Sequence, residues 1–175
     1  GSMNAITYKE VFNLLKSDKM WLGNGFKSGN AYFSSPISNE YANGVFDKET
    51  GLVKFRNCCW YTSIDHGKRH QPMALMSYDD NLKFSKHKEI KENGYIEYDN
   101  YNAIEVSFTD AIPSDYDGVM GVPISFLDKY SPEQFGIVGG DTDVKAGNLP
   151  ELVKPNWNGK IDRGYVLPHA IGCVI

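Results

Sequence analysis

Hydrophobic positions near the start of the chain recur with a helical period. Tyr8, Val11, Phe12 and Leu15 fall at i, i+3, i+4 and i+7, the spacing of one apolar helix face. Thr7-Tyr8-Lys9-Glu10 fits a capping box, and Ile6 and Val11 are placed as a hydrophobic staple. Lys16 and Lys19 lie where cations suit a helix C-terminus. The pattern therefore predicts a helix over Thr7–Lys19, followed by Met20-Trp21-Leu22 as a short buried strand. Further on, AYF is a short strand candidate, and Phe46 and Val53-Lys54-Phe55 flank a DKETG turn as a hairpin. CCWYTSID has the aromatic and β-branched content of a strand, as does AIEVSF. Residues 81–94 are polar and Lys-rich and read as a mobile loop. Ser131-Pro132-Glu133 is placed to open a short helix, and GIVG and GYVLPHAIGCVI are closing strand candidates. The reading is a mixed α/β, strand-rich chain without internal repeats.

Composition fits one domain with a real core: 175 residues, 41% hydrophobic and 23% charged. No apolar run approaches the roughly 18 residues a membrane helix needs. Three cysteines, two of them adjacent at Cys58 and Cys59, do not form a disulfide framework, and a reducing, cytoplasmic setting is expected. The net charge of −4 hides a polarised distribution. Lys54, Arg56, Lys68, Arg69, Lys83, Lys86, Lys88 and Lys91 face only four acids in the same stretch. Residues 92–117 then hold seven acids and no Lys or Arg. Such a chain can present a basic face while remaining acidic overall, although charge blocks also arise simply as solvated loops.

Self-sufficient catalytic motifs are missing. G-x-S-x-G, H-E-x-x-H and the P-loop do not occur, and Gly23-Asn24-Gly25 lacks the rest of a dinucleotide fingerprint. His66 and His70 are spaced i, i+4, but Gly67 lies between them and no further metal ligands stand nearby. Asp115 and Asp117 could pair on a metal, yet their setting, IPSDYDG, is also a turn sequence. The strongest chemical signal is DHGKRH. His66, Lys68, Arg69 and His70 are four potential cations just after a strand, a natural phosphate-contacting element. Asn57, Asn100 and Asn102 are of the type that pairs bidentately with adenine, and equally of the type that forms turns.

Four long stretches carry a resemblance: NAITYKEVFNLLKSDKMWLG, KFRNCCWYTSIDHGKRH, YDNYNAIEV and IPSDYDGVMGVPISFLDKYSPEQFGIVG. In this order they resemble the C-terminal half of the EcoRI-type adenine-specific DNA methyltransferases. These restriction–modification enzymes move a methyl group from S-adenosylmethionine to adenine N6. The resemblance spans most of residues 4–140, and the tail from Asp141 onward matches less well. Gly1-Ser2 looks like a tag-cleavage scar, so residues 1–3 are set apart from the fold. By the resemblance, residues 4–35 would be a late helix and strand of a Rossmann-like catalytic domain, and residues 36–175 the remaining strands with the target-recognition region. The family's Asn-Pro-Pro-aromatic motif and cofactor-binding glycines lie ahead of this region, and no Asn-Pro-Pro occurs here.

No catalytic, cofactor-binding or metal residue is therefore assigned, and S-adenosylmethionine is expected to bind the full-length enzymes but not this chain alone. The resemblance implies a DNA-facing role for Lys27, Ser28, Asn30, Lys68, Arg69 and His70, and Arg56, Asn57, His66, Asn100 and Asn102 join them on their own chemistry as cations or adenine-pairing amides. Gly118, Gly121 and Pro123 read as structural. The expected partners are double-stranded DNA and the upstream catalytic half of the same protein. Two alternatives are a free-standing DNA- or partner-binding module derived from a methyltransferase tail, and a small metal-dependent nuclease using Asp115, Asp117 and a histidine.

Overall fold

The first helix, α1, runs over Lys9–Lys16, shorter than its hydrophobic period predicts. Tyr8 is its N-cap, in an extended conformation (φ −76°, ψ 134°), so its ring leaves the helical stripe and is 64% exposed. The buried face narrows to Phe12 and Leu15, with Val11 half-buried. At the other end the Ser17 hydroxyl donates to the Asn13 carbonyl at 2.7 Å, and Asp18 turns left-handed (φ 58°), which stops the helix before Lys19. The structure, a computed structural model, describes residues 5–6, 8–23, 30–37, 41, 45–56, 58–99, 101–140, 143–144, 146–155 and 173–174. Thr7, expected as the cap, lies outside them.

The chain forms two compact units, Gly1–His66 and Gly67–Ile175. In the first, β1 (Trp21–Leu22) pairs antiparallel with β5 (Tyr61–Thr62). Only two residues of CCWYTSID extend in this pairing, because Thr62 Oγ1 accepts from the Ile64 amide at 2.9 Å and the chain bends. A three-stranded antiparallel sheet has the order β2 (Ala31–Phe33), β4 (Leu52–Phe55), β3 (Phe46–Asp47). The predicted DKETG hairpin is present. Asp47 accepts from the Glu49 amide and the Thr50 hydroxyl, both at 2.9 Å, and Gly51 closes the turn with φ 70°.

The second unit begins with a 3-10 turn at Gly67–His70 and a helical pair, α2 (Tyr78–Phe84) and α3 (Lys88–Asn93). The pair replaces the mobile loop expected over residues 81–94. Ser77 caps α2 by accepting from the Asp80 amide at 3.1 Å, and Asp79 and Asp80 lie in the first turn, where acids suit the helix dipole. Ile90 anchors α3 at 2% exposure, and Gly94 ends it with φ 68°. The mixed sheet that follows has the order β6 (Ile96–Glu97), β7 (Ala103–Glu105), β8 (Val119–Val122), β9 (Cys173–Val174). Only the β7–β8 pairing is parallel. Val106, Ile112, Val122 and Phe126 are fully buried around it. The helix expected after Ser131 is a single turn, in which the Gln134 and Phe135 amides both donate to the Ser131 carbonyl. GIVG contributes one bridging residue, Gly139, and most of GYVLPHAIGCVI lies outside the described residues.

Two contacts lock this unit. A Cβ on Gly121 would fall inside van der Waals contact of the buried Tyr98 hydroxyl, so β8 needs glycine there. The link between α2 and α3 is fastened by Asp110, which meets Lys86 Nζ at 2.6 Å and His87 Nε2 at 2.8 Å, while the His87 ring stacks on Phe108 at 3.7 Å. The Lys86 ammonium, with help from His87, lowers the Asp110 carboxyl to about 2.

Gly121→Ala is expected to destabilise the protein by about 1–3 kcal/mol through overpacking, measured by urea denaturation; an unchanged midpoint would contradict the close approach. The depressed Asp110 value stabilises the fold above the ordinary carboxylate range, and that contribution is lost as pH falls from about 4 toward 2. Asp110 is 43% exposed, so solvent screening keeps the effect small. Asp110→Asn should therefore lower the thermal midpoint at pH 6 and converge with the unsubstituted protein near pH 2. A gap that persists at pH 2 would show that the ion pairs are not its source.

Candidate nucleic-acid interface

The β2–β4 pairing brings together two residues predicted to face DNA. Its register sets Ala31 opposite Phe55, Tyr32 opposite Lys54 and Phe33 opposite Val53. Side chains alternate between faces along a strand. Ala31 (2% exposed) and Val53 (fully buried) therefore define the inward face, with Phe33 and Phe55 at its margin. Phe55 packs edge-on against Phe33 and Tyr41, with ring centroids 5.8 and 5.9 Å apart. The opposite face carries Tyr32 and Lys54. Asn30 directly precedes β2 and Arg56 directly follows β4, so the two flank the Ala31–Phe55 end of the pairing, and both are exposed. Lys54 Nζ lies 5.9 Å from the centroid of the Tyr32 ring, which is 51% exposed. Among the described residues the Arg56 guanidinium has no side-chain partner. Tyr32 was not singled out from sequence, and Lys54 only as one of the basic residues of its stretch. Their signal was the alternation in AYF and LVKF, legible only once the two strands are known to be neighbours.

The basic loop is arranged differently. Lys68 Nζ pairs with Asp128 Oδ1 at 2.8 Å. Arg69 is 8% exposed. His70 Nδ1 meets Glu133 Oε1 at 2.5 Å, and Ser131 Oγ donates to the other oxygen of the same carboxylate. Glu133's carboxyl is held below its ordinary range by His70 first and Ser131 second. His66, in the first unit, bonds through Nε2 to the Leu22 carbonyl at 3.0 Å. Lys68, His70 and His66 are thus engaged with fold partners or the backbone, and Arg69 is buried. His70 retains appreciable exposure at 39%. Asn102 is exposed on the turn between β6 and β7, its backbone amide donating to the Leu152 carbonyl at 2.8 Å. Lys27, Ser28, Asn57 and Asn100 lie outside the described residues.

Other features hold little chemistry. Asp115 accepts from the Tyr78 amide at 2.7 Å, an ordinary structural use of a turn carboxylate. Among the described residues no three His, Cys, Asp or Glu side chains gather as a metal site, and no helix is long and apolar enough to cross a membrane. A cavity of about 250 Å³ in the second unit is lined by Lys68, Met73, Thr109, Asp110 and Lys129 among others. It falls below the roughly 300–1,000 Å³ of typical small-molecule sites.

Comparison with known proteins supplies the family. Residues 1–163 match the family described as adenine-specific methyltransferase EcoRI. The chain is 42% identical over 141 residues to the type II methyltransferase M.EcoRI of Escherichia coli, covering 78% of this chain and 40% of that protein. It is 30% identical over 166 residues to the type II methyltransferase M.MgeORF184P of Mycoplasma genitalium, covering 93% of this chain and 49% of the relative. M.MpnI of Mycoplasma pneumoniae is 29% identical over 142 residues, of which the chain covers 42% of the relative's length. No solved structure matches the chain. The chain thus spans a little under half the length of these relatives, and it belongs to the EcoRI family of adenine-specific methyltransferases.

Proposed function

We propose that this chain supplies the DNA-recognition part of a restriction–modification N6-adenine methyltransferase, with methyl transfer carried out by sequence of the relatives outside the matched stretch. The observation that carries this reading is the family match over residues 1–163, with coverage of only 40–49% of the relatives. The outer face with Lys54, and the exposed Arg56 just after it, suit phosphate contact, the sequence-independent part of DNA binding. Of the predicted DNA-facing set, Asn30 and Arg56 are exposed beside the β2–β4 pair, whereas His70 is closed onto Glu133 and Asn102 lies on the turn between β6 and β7. The helix α1 and the strand β1 would be late elements of a Rossmann-like catalytic sheet.

The methyl donor, S-adenosylmethionine in this family, is assigned to the portion outside the match. Among the described residues lining the 250 Å³ cavity the one carboxylate, Asp110, is already engaged by Lys86 and His87. No methyl-transfer step is derived for the residues of this chain.

Two measurements check the reading. The chain should bind duplex DNA with an affinity that falls as salt rises, log K against log salt descending by about 0.9 per phosphate neutralised. A titration flat from low to moderate salt would count against it. Incubated with DNA and radiolabelled S-adenosylmethionine, the chain alone should transfer no methyl group, while full-length M.EcoRI as control does. Transfer by the chain alone would overturn the division of labour.

A further inference from the structure

Resting on that DNA-binding reading, we propose that the outer face of the β2–β4 pair is a platform for an unpaired nucleotide, with the base stacked on Tyr32 and the adjoining phosphates held by Lys54 and Arg56. Three features support this. First, Tyr32 presents a half-exposed ring from a strand whose buried neighbours, Ala31 and Val53, point the other way, so the ring's direction is fixed by the core beneath it. Second, Lys54 sits directly across the register, 5.9 Å from the ring centroid, so a cation accompanies the aromatic surface. Third, Arg56 directly follows β4, two residues after Lys54, and is exposed, with the exposed Asn30 just ahead of β2 at the same end of the pairing.

An aromatic ring flanked by cations is the common physical basis of single-strand binding, since every base has a π-face and every nucleotide a phosphate. In an intact duplex each base face is covered by its neighbour, so such a ring has nothing to stack on. The commitment is therefore to DNA carrying an unpaired base, as arises opposite or beside a nucleotide displaced from the helix. The charge on the face agrees. Its one acid among the described strand residues, Asp47, lies at the turn end, where its carboxylate is taken up by the Glu49 amide and the Thr50 hydroxyl.

The test compares fluorescence anisotropy of three labelled probes: an intact duplex, the same duplex with one bulged base, and a short single strand. Tyr32→Ala should weaken the bulged and single-stranded complexes roughly ten- to hundredfold and the intact duplex far less. Tyr32→Phe should retain binding to all three, and circular dichroism should confirm that both variants fold. Arg56→Gln should weaken all three and reduce the salt slope by about one. If the chain binds DNA but Tyr32→Ala and Tyr32→Phe behave alike on the bulged probe, the platform is excluded while the DNA-binding reading stands. If the unsubstituted chain binds none of the probes at any salt, both are overturned.

Discussion

The antiparallel register of β2 on β4 is the constraint on which the proposed DNA-binding surface depends. Side chains alternate with period two, so a slip of one residue would send every outward side chain inward. Ala31 and Val53, both buried, pin the pairing, since neither Tyr32 nor Lys54 could take their places without burying a phenol or an ammonium in the core. The hairpin that delivers β4 beside β3 is fastened by Asp47 and by the left-handed Gly51. Local turn chemistry therefore sets a register, and the register sets which residues share a face.

A second constraint concerns what the cations are for. A basic side chain closed onto a carboxylate has little charge left for phosphate. Lys68 closes on Asp128 and Lys86 on Asp110. His70 shares Glu133 with Ser131, which fastens the start of the second unit to the turn at residues 131–134. The basic content of residues 54–91 is thus divided between holding the fold and facing solvent, with Lys54 on the solvent side of its sheet and Arg56 exposed just after it.

Much of this organisation is legible in the chain itself, for identifiable reasons. The DKETG hairpin and the AYF strand follow from short-range chemistry, and both are present. The helical pair at Tyr78–Phe84 and Lys88–Asn93 is missed because polarity outweighs period over so short a span: each helix buries a single residue, Asn81 in α2 and Ile90 in α3. Its local signals were there nonetheless, a Ser77 cap three residues before Asp80 and a Gly94 stop. The candidate site is harder to read. Asn30 can be named through the resemblance and Arg56 from charge, but their proximity requires the pairing of strands some twenty residues apart, which no local pattern encodes. The ion pairs that engage Lys68 and His70 span about sixty residues and are equally invisible to local reading.

The central claim is that the β2–β4 face is where this chain meets DNA. Hydrogen–deuterium exchange of the intact chain, with and without a bulged duplex, tests it most directly. The account predicts new protection in residues 30–33 and 52–56, with residues 67–70 unchanged. Protection confined to residues 67–70 and 101–102, with the β2–β4 pair exchanging as in the free protein, would contradict it.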